Sequence, residues 1–252
     1  MVRLEELLSY TEQLLGAGDY QDYCPNGLQV EGRAEVRRIV CGVTASQALI
    51  EAAVGAGADL LLVHHGFFWK GEEPRIVGMR QRRIKALLEN DISLVAYHLP
   101  LDGHGELGNN AQLGRLLGFD VAGRFGAGPD GGIAMHGSLP EPVSAEALAQ
   151  HIGKLLQREP LLIGAGERPV KRLGWCSGAA QGYLEQAAAL GLDAFISGEI
   201  SEQTVHTARE LGIHYLSAGH HATERYGVQA LGGHLSERFS LENQFVEIAN
   251  PV

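Results

Sequence analysis

Three short segments of this chain place histidine and carboxylate residues where a strand-like run ends or a helix begins. They contain, in order, His64 with His65, His98 with Asp102, and His220 with Glu224. In open α/β sheets, ligands bind at the carboxyl ends of the strands. The pattern therefore requires an α/β fold that brings these segments together, and it predicts a site for two metal ions.

His64 and His65 follow a run that is typical of a buried strand. Residues 60–63 are all apolar, and Gly66 comes directly after the histidine pair. Neighbouring strand residues project to opposite faces, so the two imidazoles are expected to diverge. Each would then serve one ion of a pair about 3.5–4 Å apart. The alternative is that one histidine caps the strand and the other packs in the core.

His98 and Asp102 follow a second strand-like run. Residues 92–97 are apolar and favour β-structure, and Pro100 is expected to prevent the next segment from continuing as sheet or helix. Both side chains are thus expected in a loop at the strand end. Imidazole with carboxylate suits zinc, manganese, iron or nickel better than calcium. The alternative for Asp102 is turn formation before Gly103.

His220 and Glu224 belong to a segment that follows Gly219 and predicts a helix over residues 220–237. Residues four apart lie one turn apart on the same helix face, which is the spacing for joint metal coordination. The alternative is an exposed pair on the helix surface. Metal-type residues at three independent segments favour the metal site.

Six stretches of the sequence resemble one known family. They are YCPNGLQVEG, GVTASQALIEAA, LLLVHHGFFWKGE, YHLPLDGHGELGNNAQL, FISGEISEQTVH and SAGHHATERYG. They are similar to the dinuclear-metal family named after NGG1-interacting factor three, in its short bacterial YbgI-type branch. Members of that branch are often labelled homologues of the type 2 form of GTP cyclohydrolase 1. The resemblance covers essentially the whole chain.

This resemblance implies two divalent metal ions per chain, of zinc, manganese, iron or nickel, and a ring-shaped homohexamer. The implied ligands are His64, His65, Asp102, His220 and Glu224. Five side chains fill two metal sites only by bridging, so Glu224 is expected to span both ions, with Asp102 as a second candidate bridge. Open positions then remain for water, as in catalytic sites. His98 is expected beside the ligands, where it orients Asp102 or a bound water.

Two functions fit these residues. The first is a metal-dependent hydrolase of the cyclohydrolase type, in which activated water attacks the ring of a purine nucleotide and His98 and Glu224 take part in catalysis. The second is a non-catalytic protein for metal storage, delivery or regulation. The same ligands serve both, so the sequence leaves the substrate open.

Composition points to a globular protein of the cytoplasm. Hydrophobic residues make up 45% of the 252 residues, and no apolar run approaches the length of a membrane span. The three cysteines show no CxxC spacing, which suits a reducing compartment without disulfides. The net charge of −10 opposes general nucleic-acid binding. The basic stretch at residues 79–85 is interpreted as a solvated helix face, or alternatively as an anion-binding element near the site.

Alternating helix-like and strand-like runs predict two interlocked α/β lobes with largely parallel or mixed sheets. Gly, Pro and Asp concentrate at residues 123–132, which are interpreted as a boundary. The metal-site lobe is expected to comprise residues 1–124 plus 215–252, and the second lobe residues 125–214. The C-terminal segment must return to the first lobe, because its ligands are expected to meet those from the N-terminal part.

Three further segments have two interpretations each. Thr44 and Ser46 open a helix, as cap residues or as anion ligands. The acids of residues 197–206 are attributed to the dipole of the helix that follows, although Glu202 and His206 also have metal spacing. The aromatic residues 67–69 either pack in the core or line a pocket for a planar ligand.

Overall fold

A computed structural model describes all 252 residues, which form two compact units. The first unit contains residues 1–108 and 227–249, and the second contains residues 109–226 and 250–252. Each unit has one large β-sheet with helices packed against it.

The structure contains thirteen strands and ten α-helices. The strands are Val2–Arg3 (β1), Gly27–Val30 (β2), Glu35–Val36 (β3), Arg38–Thr44 (β4), Leu60–His65 (β5), Ser93–Ala96 (β6), Asp120–Phe125 (β7), Ala134–Val143 (β8), Leu161–Ile163 (β9), Val170–Cys176 (β10), Ala194–Ser197 (β11), His214–Ser217 (β12) and Glu242–Phe245 (β13). The helices are Leu4–Leu15 (α1), Gln47–Gly55 (α2), Gly78–Glu89 (α3), Leu99–Gly103 (α4), Asn109–Leu117 (α5), Ala145–Leu156 (α6), Leu184–Ala189 (α7), Glu202–Leu211 (α8), His220–Thr223 (α9) and Arg225–Phe239 (α10). None of the ten helices combines the length and apolar character needed to cross a membrane.

The sheet of the first unit has the strand order β13-β4-β5-β6-β2. The first four strands are parallel, and β2 pairs with β6 in the antiparallel direction. Strand β5 is apolar at consecutive positions because helices cover both faces of the sheet. Leu60 and Leu62 pack in a core with residues of α1 and α10, whereas Leu61 and Val63 pack with residues of α2 and α3. The carboxyl end of β5, with its two histidines, therefore lies at the middle of the sheet.

The sheet of the second unit has the strand order β7-β8-β10-β11-β12-β9. Strands β10, β11 and β12 are parallel, and the other pairings are antiparallel. The prediction of an α/β fold with parallel or mixed sheets is therefore confirmed.

The predicted lobe boundaries differ from those of the structure. Residues 109–124 and 215–226, predicted in the first lobe, belong to the second unit. The reason is strand pairing: β7 pairs with β8, and β12 pairs with β11, so both strands are part of the second sheet. The glycine-rich segment 123–132 is the end of β7 and its turn into β8, and it does not separate the units.

Candidate metal centre

His64 lies in β5 and is fully buried. Its Nδ1 is 2.9 Å from the backbone oxygen of Tyr97, and its Nε2 is 3.4 Å from Asp102 Oδ1. A carbonyl oxygen only accepts, so Nδ1 carries the proton and donates this bond. In the neutral ring Nε2 then presents its lone pair, which is the tautomer a metal ligand needs.

His65, the last residue of β5, lies closer to His64 than strand geometry predicts. The two ring centroids are 4.5 Å apart and the planes are tilted by 39°. The expectation that the imidazoles diverge is wrong, because the pairing of β5 with β6 ends at Val63 and only β4 continues alongside, with Thr44 opposite His65. Thr44 Oγ1 also lies 3.3 Å from His65 Nδ1. The two imidazoles thus belong to one cluster of metal-type ligand atoms.

Asp102 is buried in the short helix α4, and the prediction of a loop there is wrong. Pro100 lies in the first turn of that helix, where a missing N–H costs no internal hydrogen bond. The Asp102 N–H donates to the backbone oxygen of His98 at 3.0 Å. The helix thus turns the carboxylate of Asp102 towards His64.

The His98 ring is held by Asp22, a residue that no sequence motif singles out. His98 Nδ1 is 2.7 Å from Asp22 Oδ1, and the backbone N–H of Leu99 and the amide of Asn26 donate to Oδ2, each at 2.9 Å. Burial raises the pKa of Asp22, but these hydrogen bonds and the His98 charge outweigh burial and lower the pKa to about 2. The orienting contact of the His98 ring is therefore with Asp22, whereas Asp102 contacts the His98 backbone.

The described residues offer two groups of metal-type ligand atoms within the first unit. His64, His65 and His98 place nitrogen atoms within 4.8 Å of one another, and Asp22, Cys24 and His98 form the second group. Burial, with the charges of Asp22 and Glu72, raises the pKa of the Cys24 thiol to about 12. Without a bound cation, this thiol is protonated at neutral pH.

In the second unit, His220 lies between two carboxylates. Its Nδ1 is 2.7 Å from Glu199 Oε1, and its Nε2 is 3.0 Å from Glu224 Oε2. Burial lowers the pKa of His220, but the hydrogen bonds and charges of Glu224 and Glu199 outweigh it and raise the pKa to about 9. Surroundings that stabilise a positive charge on this ring also favour a divalent cation bound at Nε2.

Glu224 is only 2% exposed, and it lies at a helix joint. The predicted continuous helix over residues 220–237 is wrong, because α9 ends at Thr223 and α10 begins at Arg225. The backbone of Glu224, at φ −113° and ψ 9°, is not helical. The joint nevertheless keeps Glu224 beside His220.

Glu199 also has a role that differs from its predicted one. It contacts the His220 ring and lies before α8, so the helix dipole does not account for it. Glu202 and His206 form a pair 3.1 Å apart on the surface of α8. Ser46 caps α2, since its hydroxyl accepts a hydrogen bond from the Leu49 N–H.

A glycine in the second unit shapes the space beside Glu224. Gly178 has φ +64°, and a Cβ added there would overlap Glu224 Oε1 and lie 3.3 Å from His220 Nε2. The donor set fits divalent metal ions of the transition series, because His64 and His220 each have an outer partner at Nδ1 and lie beside a buried carboxylate. Gly178 leaves room beside one of these pairs.

We expect Gly178→Ala to weaken metal affinity by about tenfold or more, because the new methyl displaces the Glu224 carboxylate. Left-handed backbone strain alone costs about 1–2 kcal/mol of stability. The matched control is Gly118→Ala, at a glycine with φ +73° and nothing within 4 Å of the added Cβ. Competition with a chelating dye measures affinity, and equal affinities of the two variants would contradict the prediction.

Comparison with known proteins identifies relatives along the whole chain. The model of the family described as Duf34/NIF3 (NGG1p interacting factor 3) matches residues 2–251. A protein of Pseudomonas aeruginosa named "GTP cyclohydrolase 1 type 2 homolog" is 59% identical over 250 residues, which cover 99% of each chain. The structure of a protein called ybgI, described as of unknown function, is 50% identical with a TM-score of 0.96 and covers 100% of both chains. A structure from Thermus thermophilus is 35% identical with a TM-score of 0.91, again over 100% of both chains.

Proposed function

This chain belongs to the Duf34/NIF3 family, and from that premise we propose that it is a hydrolase dependent on two divalent metal ions. The observation that carries the proposal is the pairing of each buried carboxylate with an imidazole held through Nδ1. His64 is held by the Tyr97 carbonyl and faces Asp102, and His220 is held by Glu199 and faces Glu224. Outer partners of this kind fix the orientation of metal-ligating histidines.

Five side chains are proposed to hold the ions. They are His64, His65, Asp102, His220 and Glu224. Glu224 would be a ligand shared by the two ions, and water would complete the remaining positions. Its burial supports this role, because a carboxylate removed from water needs positive partners.

Two divalent ions, when bound, lower the pKa of a coordinated water and polarise the group that it attacks. His98 is proposed to move the proton. Asp22 accepts the hydrogen bond of His98 Nδ1, which leaves Nε2 as the atom that exchanges a proton with the substrate. The same hydrogen bond to Asp22 fixes the orientation of the His98 ring.

The name of the relatives suggests the reaction class. By that analogy, the substrate is a purine nucleotide and the attacked atom is a carbon of its imidazole ring.

Turnover by metal-loaded protein tests the proposal. Zinc-, manganese-, iron- and nickel-loaded samples are incubated with purine nucleotides and small cyclic amides, and products are separated by chromatography. Glu224→Gln keeps the shape of the side chain and removes its charge, so it should abolish turnover. Activity that survives in this variant would reveal a contaminant, and absence of turnover with full metal occupancy would favour a role in metal storage, delivery or regulation.

A further inference from the structure

The segment that follows the histidine pair has an unusual backbone. Phe68 has φ +66°, a left-handed conformation that is a rare outlier for a bulky side chain. Phe67 is buried, whereas Phe68 is 37% exposed. Strain of about 1–3 kcal/mol at such a residue persists only where the surroundings impose it, and such residues cluster at ligand sites.

The consequence of this turn is the position of Trp69. Its ring centroid lies 4.9 Å from that of His98 and 5.8 Å from that of His65. The indole Nε1 donates to the Gly66 backbone oxygen at 3.3 Å, and the backbone N–H donates to Glu72 Oε2 at 3.1 Å. Trp69 is therefore fixed beside two imidazoles of the site while remaining partly exposed.

Helix α3 stabilises this turn through the basic side chain of Arg80. Arg80 forms an ion pair with Glu72, and its guanidinium carbon lies 5.9 Å from the centroid of the Phe68 ring. Glu72 thus connects Arg80 to the backbone of Trp69. The basic stretch of α3 supports the turn through Arg80.

A second aromatic side chain lies near the same imidazole. The Tyr23 ring centroid is 6.5 Å from that of His98, and the residue is 63% exposed. The Lys70 N–H donates to the Tyr23 backbone oxygen at 2.7 Å, so the backbone of Tyr23 is joined to the segment that carries Trp69. An exposed tyrosine is common, but here it borders a histidine that is fixed by a buried carboxylate.

We propose that Trp69 and Tyr23 form an aromatic wall beside His98 that binds the planar nitrogen heterocycle of the substrate. The inference rests on the proposed function for the reacting atoms, but it concerns binding and not turnover. Fixed aromatic rings offer flat apolar faces at low entropic cost, and imidazoles at their edge offer hydrogen-bonding nitrogens. A flat heterocycle matches both, because its faces stack and its ring nitrogens accept or donate.

Binding of ring compounds by metal-loaded protein tests this wall. The probes are guanosine, adenosine, guanosine monophosphate and a pterin, with ribose 5-phosphate as a probe that has phosphate but no planar ring. The chain has two tryptophans, and Trp175 is fully buried, so quenching of the exposed emission reports Trp69. We expect at least one planar probe to quench this emission and ribose 5-phosphate to leave it unchanged.

Substitutions separate stacking from packing. Trp69→Leu should weaken binding of the quenching probe by about 10- to 100-fold, measured by calorimetry, because base stacking on an aromatic ring is lost. Trp69→Phe should retain most of the affinity. Tyr23→Phe should bind like the unmodified chain, and Tyr23→Ala should bind more weakly. Metal content is measured in every sample, so that a change in affinity is not a change in occupancy.

Several results would overturn the aromatic wall. They are no binding of any planar probe at full metal occupancy, equal binding of ribose 5-phosphate and guanosine monophosphate, or unchanged affinity in Trp69→Leu. Failure of the proposed hydrolase function is distinct, since it would appear as tight binding of a ring without turnover. In that case the aromatic wall would be supported and the catalytic assignment would be wrong.

Discussion

Replacement of Glu224 by alanine is expected to release both metal ions from the chain. The carboxylate is 2% exposed, lies 3.0 Å from His220 Nε2, and is proposed to bridge the two ions. On that proposal, its loss would take a ligand from both ions and leave the imidazoles without the carboxylate charge that offsets the cations. Elemental analysis after metal loading and gel filtration should give two ions per unmodified chain and close to none for the variant.

Two further variants compare the contributions of Asp102 and His98 to metal binding. Asp102→Ala should lose at least one ion, because Asp102 is the carboxylate that faces His64. His98→Ala should weaken affinity by roughly 10–100-fold without emptying the site, since its ring is held by Asp22 and acts beside the ligands. Equal and complete loss in both variants would show that His98 is itself a ligand.

A matched control for Glu224 is available in α8. Glu202 forms an exposed pair with His206 at the same spacing of four residues that separates His220 from Glu224. Glu202→Ala should therefore keep both ions. A stoichiometry of one ion or fewer in the unmodified chain, after careful loading, would contradict the two-metal centre.

The sequence predicts the core of the first unit well because its signals are local. The apolar runs before His64 and His98 coincide with β5 and β6, and the basic stretch at residues 79–85, interpreted as a helix face, lies in α3. Burial on both faces gives a parallel strand a continuous apolar run that is visible without any knowledge of its partners. The strand ends, and with them the histidines, can therefore be located.

The residues that hold the imidazoles cannot be found in this way. Asp22 and His98 are 76 positions apart, and Glu199 and His220 are 21 apart. Contacts between residues so far apart in sequence depend on how the loops fold, and no periodic pattern of the sequence reveals them. The neighbours of Glu199 in sequence suggest only a helix dipole, because its imidazole partner lies in another segment.

Local rules also fail where tertiary structure overrides them. Pro100 predicts the absence of a helix, but a proline in the first turn is compatible with one. Glu224 is predicted within a helix and is found at the joint of two. The glycine-rich segment predicts a lobe boundary, whereas the pairing of β7 with β8 decides it. In each case the local sequence pattern is present, but its structural meaning depends on the strands and side chains that it contacts in the fold.

Removal of the metal ions is expected to lower the melting temperature by about 5–10 °C and to loosen residues 215–240 first. A ligand that binds only the folded chain stabilises it by about 2.7 kcal/mol at a hundredfold excess over its dissociation constant, and about 2–4 °C of melting temperature corresponds to each kcal/mol at this chain length. Without cations, the buried Glu224 carboxylate would lose the positive charges proposed to offset it. This loss would destabilise the joint between α9 and α10, where Glu224 lies.

Hydrogen exchange on apo and metal-loaded protein measures this coupling segment by segment. Protection should fall most across residues 215–240 on metal removal, while the central strands β4 and β5 should change little, because their amides lie in a ladder buried between two helical layers. Glu224→Ala serves as the matched control, since added metal should not restore protection in a chain that has lost its bridge. Identical exchange across residues 215–240 in the apo and loaded forms of the unmodified chain would show that metal binding and the stability of this joint are independent.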